Sequence, residues 1–122
     1  MASVFEATAG KAIGYPTGLG SAVTQETSKA TGVTINAVCG AITTDDAELA
    51  GAAEVSFVVT NSFVAASDVP VVAVKSGAST GTYVASVSAV AAGSFTVTLS
   101  NLGSTASEAL VLNYAIIKAA AA

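Results

Sequence analysis

Asp45, Asp46 and Glu48 stand together in TDDAELAGAA, close enough to offer hard oxygen ligands to a calcium ion. A calcium loop of the EF-hand kind needs further oxygens at alternate positions and a distal Glu, and these are missing. The stretch therefore reads as a solvated turn, with Thr44 or Asp45 capping a single helical turn that contains Glu48 and ends at Gly51. Glu54 and Asp68 are isolated carboxylates. A glycosidase pair is defined by separation in space, so neither is assigned to one. The chain has no His and no Arg, which removes the commonest general base and leaves its serines without a triad partner. Cys39, in NAVCGAI, has no charged neighbour to lower its pKa and reads as a small buried hydrophobe; an intersubunit disulfide or a catalytic thiol are the alternatives. Gly18-Leu19-Gly20 precedes a strand, lacks a third Gly in register and is not followed by Lys-Ser/Thr, so it is no phosphate loop. No catalytic residue, cofactor or metal ligand is assigned, and the chain reads as non-enzymatic.

Composition narrows the partners. At 122 residues the chain has the size of one domain with one core. Charged residues make up 10% of it and apolar ones 52%, a sparsely charged exterior for a free monomer. With a net charge of −4 and four scattered lysines there is no basic stripe for nucleic acid. Ser, Thr and Gly interrupt every apolar run, so no membrane span is expected. The opening MASVFEATAGKAIGYPTG has neither a basic region nor a long apolar region of a signal peptide, and no Asn-x-Ser/Thr sequon occurs. Synthesis and maturation in a cytoplasm are the expectation.

The elements that must position these residues are strands. Residues 1–21 are Ala- and Gly-rich with Pro16, and the spacing of Val4, Phe5, Ile13 and Tyr15 follows no period; this reads as an extended arm. Those four are its candidate anchors on a partner, and folding back onto the chain's own domain is the alternative. From Ala22 short strands bounded by Gly, Ser, Asn and Asp follow: AVTQET, VTINAV, GAITT, EVSFVVTNS, VPVVAVK, TYVASVSAV, SFTVTLSN and the last strand. Val55, Phe57 and Val59 point inward, as do Phe95, Val97 and Leu99, whereas Val58 departs from the alternation. Tyr83, Ala85, Val87 and Ala89 share one face. Pro70 cannot donate to a ladder, so its strand begins there or lies at a sheet edge. About eight strands with regular turns predict an all-β domain over residues 22–118, a single antiparallel β-sandwich or jelly roll, with an Ala tail at 119–122.

The last strand, EALVLNYAIIK, is apolar on both faces except at Asn113. A strand with one face in water would alternate, so both faces should be covered. Leu110, Leu112, Tyr114 and Ile116 are assigned to the core. Val111, Asn113, Ala115 and Ile117 are assigned to an oligomer interface, where the Asn113 amide would need partners. The Ser- and Thr-rich outward faces are ordinary solvated sheet; facing a glycan is the alternative, with Tyr83 and Tyr15 as its aromatic platforms.

Gly18 to Lys118 resembles small virion structural proteins of tailed bacteriophages and cyanophages. The residues that carry the likeness are Val23-Thr24-Gln25, Thr27-Ser28-Lys29, Thr31-Gly32-Val33-Thr34, Gly40-Ala41-Ile42-Thr43, Val55-Ser56-Phe57, Thr60-Asn61-Ser62 and Ala109 to Lys118. The resemblance implies a capsid decoration or cement protein: a homotrimer seated on the major capsid protein at the virion surface, synthesised in the host bacterial cytoplasm and attached with help from the arm. A receptor- or glycan-binding domain of a head or tail fibre is the alternative. The family offers no catalytic residues.

Overall fold

The computed structural model describes residues 10–120; Val4 and Phe5 lie outside them. The chain is all-β, with ten strands and no helix among the described residues. They are β1 (Gly20–Thr24), β2 (Val33–Thr34), β3 (Cys39–Thr43), β4 (Glu48–Leu49), β5 (Glu54–Thr60), β6 (Val69–Ser76), β7 (Tyr83–Ala91), β8 (Ser94–Asn101), β9 (Ala106–Ser107) and β10 (Val111–Ile117). One four-stranded sheet runs β1-β3-β10-β6, a second runs β2-β5-β8-β7, and β4 pairs with β9 in a small ribbon. Neither large sheet closes on itself.

Three expectations are corrected. The sheets are not purely antiparallel, because β1 pairs parallel to β3 and β2 parallel to β5. The cause is the crossing of the chain: β2, only two residues long, belongs to the opposite sheet, so the chain leaves β1, visits the other layer and returns as β3 in the same direction. The count is ten rather than eight, since β4 and β9 are two-residue pieces that carry no periodic signal, and the expected VTINAV strand shrinks to the two residues of β2. No helical turn forms at Thr44–Gly51 either. The Thr44 hydroxyl instead accepts the Leu110 N–H at 2.9 Å, and Glu48 enters β4.

Burial follows the period-2 pattern where strands are regular. Along β5 and β8 the inward set Phe57, Val59, Phe95, Val97 and Leu99 is almost wholly buried, while Val58 points outward. On β7 the register shifts between Val87 and Ala89. This bulge turns Val90 inward and Ala89 outward, reversing the sequence expectation for the end of that strand. Inward residues of both large sheets meet in one cluster, with the Phe95 and Tyr114 rings 5.7 Å apart and tilted by 50°. Each large side chain so buried contributes about 1.5–3 kcal/mol relative to exposure.

β10 lies inside its sheet, between β3 and β6. Leu110, Leu112, Tyr114 and Ile116 are 0–3% exposed, as expected of the core face. Pro70 sits in β6, the sheet's edge strand. It pairs with Ile116, whose N–H is donated away from β6 to the Val38 carbonyl. The pair is thus a non-hydrogen-bonded one, and the missing Pro70 N–H falls on the solvent side, where it costs nothing.

Candidate functional site

The outward side of β10 organises one face of the molecule. Asn113 lies between Ala41 of β3 and Ala73 of β6, Ala115 between Cys39 and Val71, and Ile117 beside Val69. Beyond β3, Ala22 continues the row from Ala41. Across four strands these positions are small or aliphatic, and Asn113 is the polar exception. Ile117 is 54% exposed, Val69 49% and Val71 46%. The second face of β10 is therefore open within a single chain, not a second intrachain core. Cys39 lies half-buried in this face rather than in the core.

The arm reaches the same face at the C-terminal end of β10. Tyr15 donates its hydroxyl to the Ile116 carbonyl, which lies beyond the start of β3 and has no ladder partner there. Ile13, Gly14 and Tyr15 form one wall of a groove of about 690 Å³ whose floor includes Cys39, Val71, Ala115 and Ile117. Tyr15, expected as an anchor on a partner, is held by its own domain, whereas Ile13 is 73% exposed. Leu19 and Phe63 line an adjoining hollow with Tyr15. Gly20 and Ser21, placed in the arm from sequence, already belong to β1.

The opposite outer face has different chemistry. Ser56 and Thr98 share a hydrogen bond of 2.8 Å, and Thr98 donates to Ser88 at 2.9 Å, giving a hydroxyl ladder across β5, β8 and β7. Tyr83 offers no open platform beside it. Its hydroxyl donates to Glu108 at 3.0 Å, and Gly81 lies so close to its ring that an added Cβ would sit 2.4 Å from Cζ.

Glu108 shapes that corner. Its carboxylate accepts from the backbone N–H groups of Ser79, Thr80 and Gly81 and from the Ser79 and Tyr83 hydroxyls. The Ser79 hydroxyl bond, then the backbone donors of Gly81 and Ser79, hold its pKa at about 2, below the ordinary 4.5. Burial, followed by the bond to Glu108 and its charge, pushes the Tyr83 phenol up to about 12. Glu108 is depressed, so its contribution is complete above pH 4.5 and drains away as pH falls towards 2, because the unfolded chain protonates first. Tyr83 is raised, so stability falls again between its ordinary 10 and about 12. Thermal melts of Glu108→Gln against the native chain should show their widest gap near pH 7, closing from pH 4.5 downward. A gap that stays constant to pH 2 would contradict this role.

Lys29, Asp45, Asp68 and Lys118 serve the structure. Lys29 is buried and donates to the backbone carbonyls of Asp45, Ala47 and Glu108, and burial lowers its pKa against the pull of Asp45, Asp46 and Glu108. Gln25, also buried, donates to the Lys29 and Thr31 carbonyls and accepts the Asp45 N–H. Asp45 accepts the Ala47 N–H in a local turn. Asp68 pairs with Lys118, and Glu54 stands apart at the start of β5. Among the described residues no three His, Cys, Asp or Glu side chains gather as metal ligands, and no helix is long and apolar enough to cross a membrane.

Comparison with protein-family models, curated proteins and solved structures found no match.

Proposed function

We propose that the chain is a non-enzymatic structural protein of a tailed-phage virion, a capsid decoration or cement protein. It binds the head shell through the outer face of the β1-β3-β10-β6 sheet and assembles there as an oligomer, a homotrimer in preference. The observation that carries this reading is the largely apolar face centred on Asn113, Ala115 and Ile117, with Lys75 and Lys118 at its ends, a surface of a kind that marks association sites. The architecture that goes with it is a two-layer β-sandwich, supported by the single core that both large sheets share. The residue pattern of Gly18 to Lys118 supports the virion assignment.

The mechanism is mechanical. Apolar burial against the major capsid protein and neighbouring copies adds many modest contacts, and multivalency makes the whole shell harder to open than any one contact would. The alternative, a receptor- or glycan-binding fibre domain, draws on the hydroxyl ladder of Ser56, Thr98 and Ser88. It is the weaker reading, because Tyr83 and Tyr15 are both engaged within the chain. Quantitative mass spectrometry of purified particles tests the choice. A copy number comparable to that of the major capsid protein is expected; a few copies per particle would favour the fibre, and none would end both readings.

A further inference from the structure

An open strand edge pairs with other chains unless something prevents it, and three of the four edges of the large sheets are guarded. β6 carries Pro70 and Lys75, β7 has its register shift between Val87 and Ala89, and β2 is two residues long. β1 has none of these devices. GSAVT runs in unbroken register with β3, without proline or charge, and all of it except Val23 is exposed.

The ladder fixes where the backbone groups of β1 point. Gln25 donates its N–H to the Thr43 carbonyl at 2.8 Å, and the Ser21 carbonyl is turned towards Gly40, where an added Cβ would lie 2.3 Å from its oxygen. In a parallel ladder alternate residues of a strand turn both groups to the same neighbour. Ser21, Val23 and Gln25 therefore serve β3, while Gly20, Ala22 and Thr24 direct their N–H and C=O groups outward. Among the described residues nothing bonds the outward groups of Ala22 and Thr24.

We infer that β1 pairs antiparallel with β1 of a second copy about a two-fold axis at Ala22. The register is self-complementary. Ala22 faces Ala22 of the partner copy and Gly20 faces its Thr24, so every outward residue falls in a hydrogen-bonded pair that exchanges both bonds. A charge beside such an axis would meet its own kind, and β1 has none. The two sheets become one, and the row Ala73-Asn113-Ala41-Ala22 runs on into the same row of the second copy. The contact uses the edge and leaves the outer face open, so it stands without the attachment reading; on a shell it joins neighbouring oligomers. Its strip, about 17 Å long and one strand spacing of about 4.8 Å wide, is far smaller than the roughly 800 Å² per partner of a stable interface. Pairing is therefore concentration-dependent.

Sedimentation equilibrium from about 10 μM to about 1 mM is measured on the native chain, Ala22→Pro and Ile117→Asp. Proline at position 22 removes only an outward N–H, so the fold is kept, and a melt on the same sample checks this. The native chain and Ile117→Asp should each show a reversible doubling of mass that Ala22→Pro lacks. Constant mass in the native chain overturns the proposal, as does a doubling that survives in Ala22→Pro or one that Ile117→Asp abolishes, which would mean contact through the outer faces. Cysteine trapping tests the register independently of the proline variant. In a Cys39→Ser background, Ala22→Cys should form a disulfide-linked pair under mild oxidation, its Cα atoms about 5.5 Å apart across the axis. Thr24→Cys, two residues along the strand and opposite Gly20, should not. Equal trapping of both, or trapping of neither, overturns the pairing.

Discussion

Asn61→Leu should cost about 3 kcal/mol or more, because a leucine, matched in side-chain heavy atoms but bulkier and without a donor or acceptor, leaves buried backbone groups without their partners. The Asn61 side chain is fully buried and donates to the Ile35 carbonyl at 2.8 Å and the Ala37 carbonyl at 2.7 Å while accepting the Phe63 N–H at 2.8 Å. It also lies 3.3 Å from the Tyr114 hydroxyl, which itself donates to Ala37. One amide therefore ties the strand end of β5 to the segment between β2 and β3 and to β10. Set against a total stability of about 5–15 kcal/mol, the loss is a large share. A fall in thermal midpoint of roughly 10 to 20 °C is expected for a domain of this size. Ser56→Ala, in the exposed hydroxyl ladder, should change stability by less than about 0.5 kcal/mol. Melts followed by circular dichroism check both; an Asn61→Leu midpoint within a few degrees of native would show that water replaces the amide.

Ile117→Asp should reduce the protein on purified particles to background while leaving the fold intact. The side chain is 54% exposed at the edge of the groove, so an aspartate there stays solvated in the free chain. Buried against a shell it would lose that solvation without a partner, at a cost of several kcal/mol, where every 1.4 kcal/mol is about tenfold in affinity. Val111→Asp acts on the same face, but Val111 is half-buried at the register shift against β6, so part of its effect falls on the fold. Particle binding and a melt on the same sample separate the two terms. An Ile117→Asp protein that binds as the native one does would move the attachment surface elsewhere.

What was legible in the sequence follows from which forces are local. β8 could be read residue by residue because an unbroken alternation of Phe95, Val97 and Leu99 with Thr and Ser leaves one burial pattern. β7 could not, since a bulge at Ser88 has no residue signature of its own and inverts the parity beyond it. The parallel pairing of β1 with β3 was hidden because it depends on which layer the two-residue β2 joins, a tertiary choice. Asn61 and Asn101 were missed although a signal existed: each continues the inward parity of its strand, after Phe57 and Val59 in one case and after Val97 and Leu99 in the other. A polar residue at an inward position must be bonded, and Asn101 indeed holds the Leu49 and Ser104 carbonyls. Lys29 and Glu108 carried no such signal, because their partners, backbone groups for Lys29 and both backbone and hydroxyl groups for Glu108, lie distant in sequence. For the candidate site, the two apolar faces of EALVLNYAIIK were visible at once. That the outer one continues across Ala41, Ala73 and Ala22 was not, since strand order is what gathers them.

The most direct measurement is electron cryo-imaging of the virion at a resolution that orients the domain. Density for this chain is expected on the outside of the head, with the Asn113, Ala115 and Ile117 face turned towards the shell or a neighbouring copy and the Ser56-Thr98-Ser88 face towards solvent. A bare head, or a domain on the head whose β10 face looks into solvent, would contradict it.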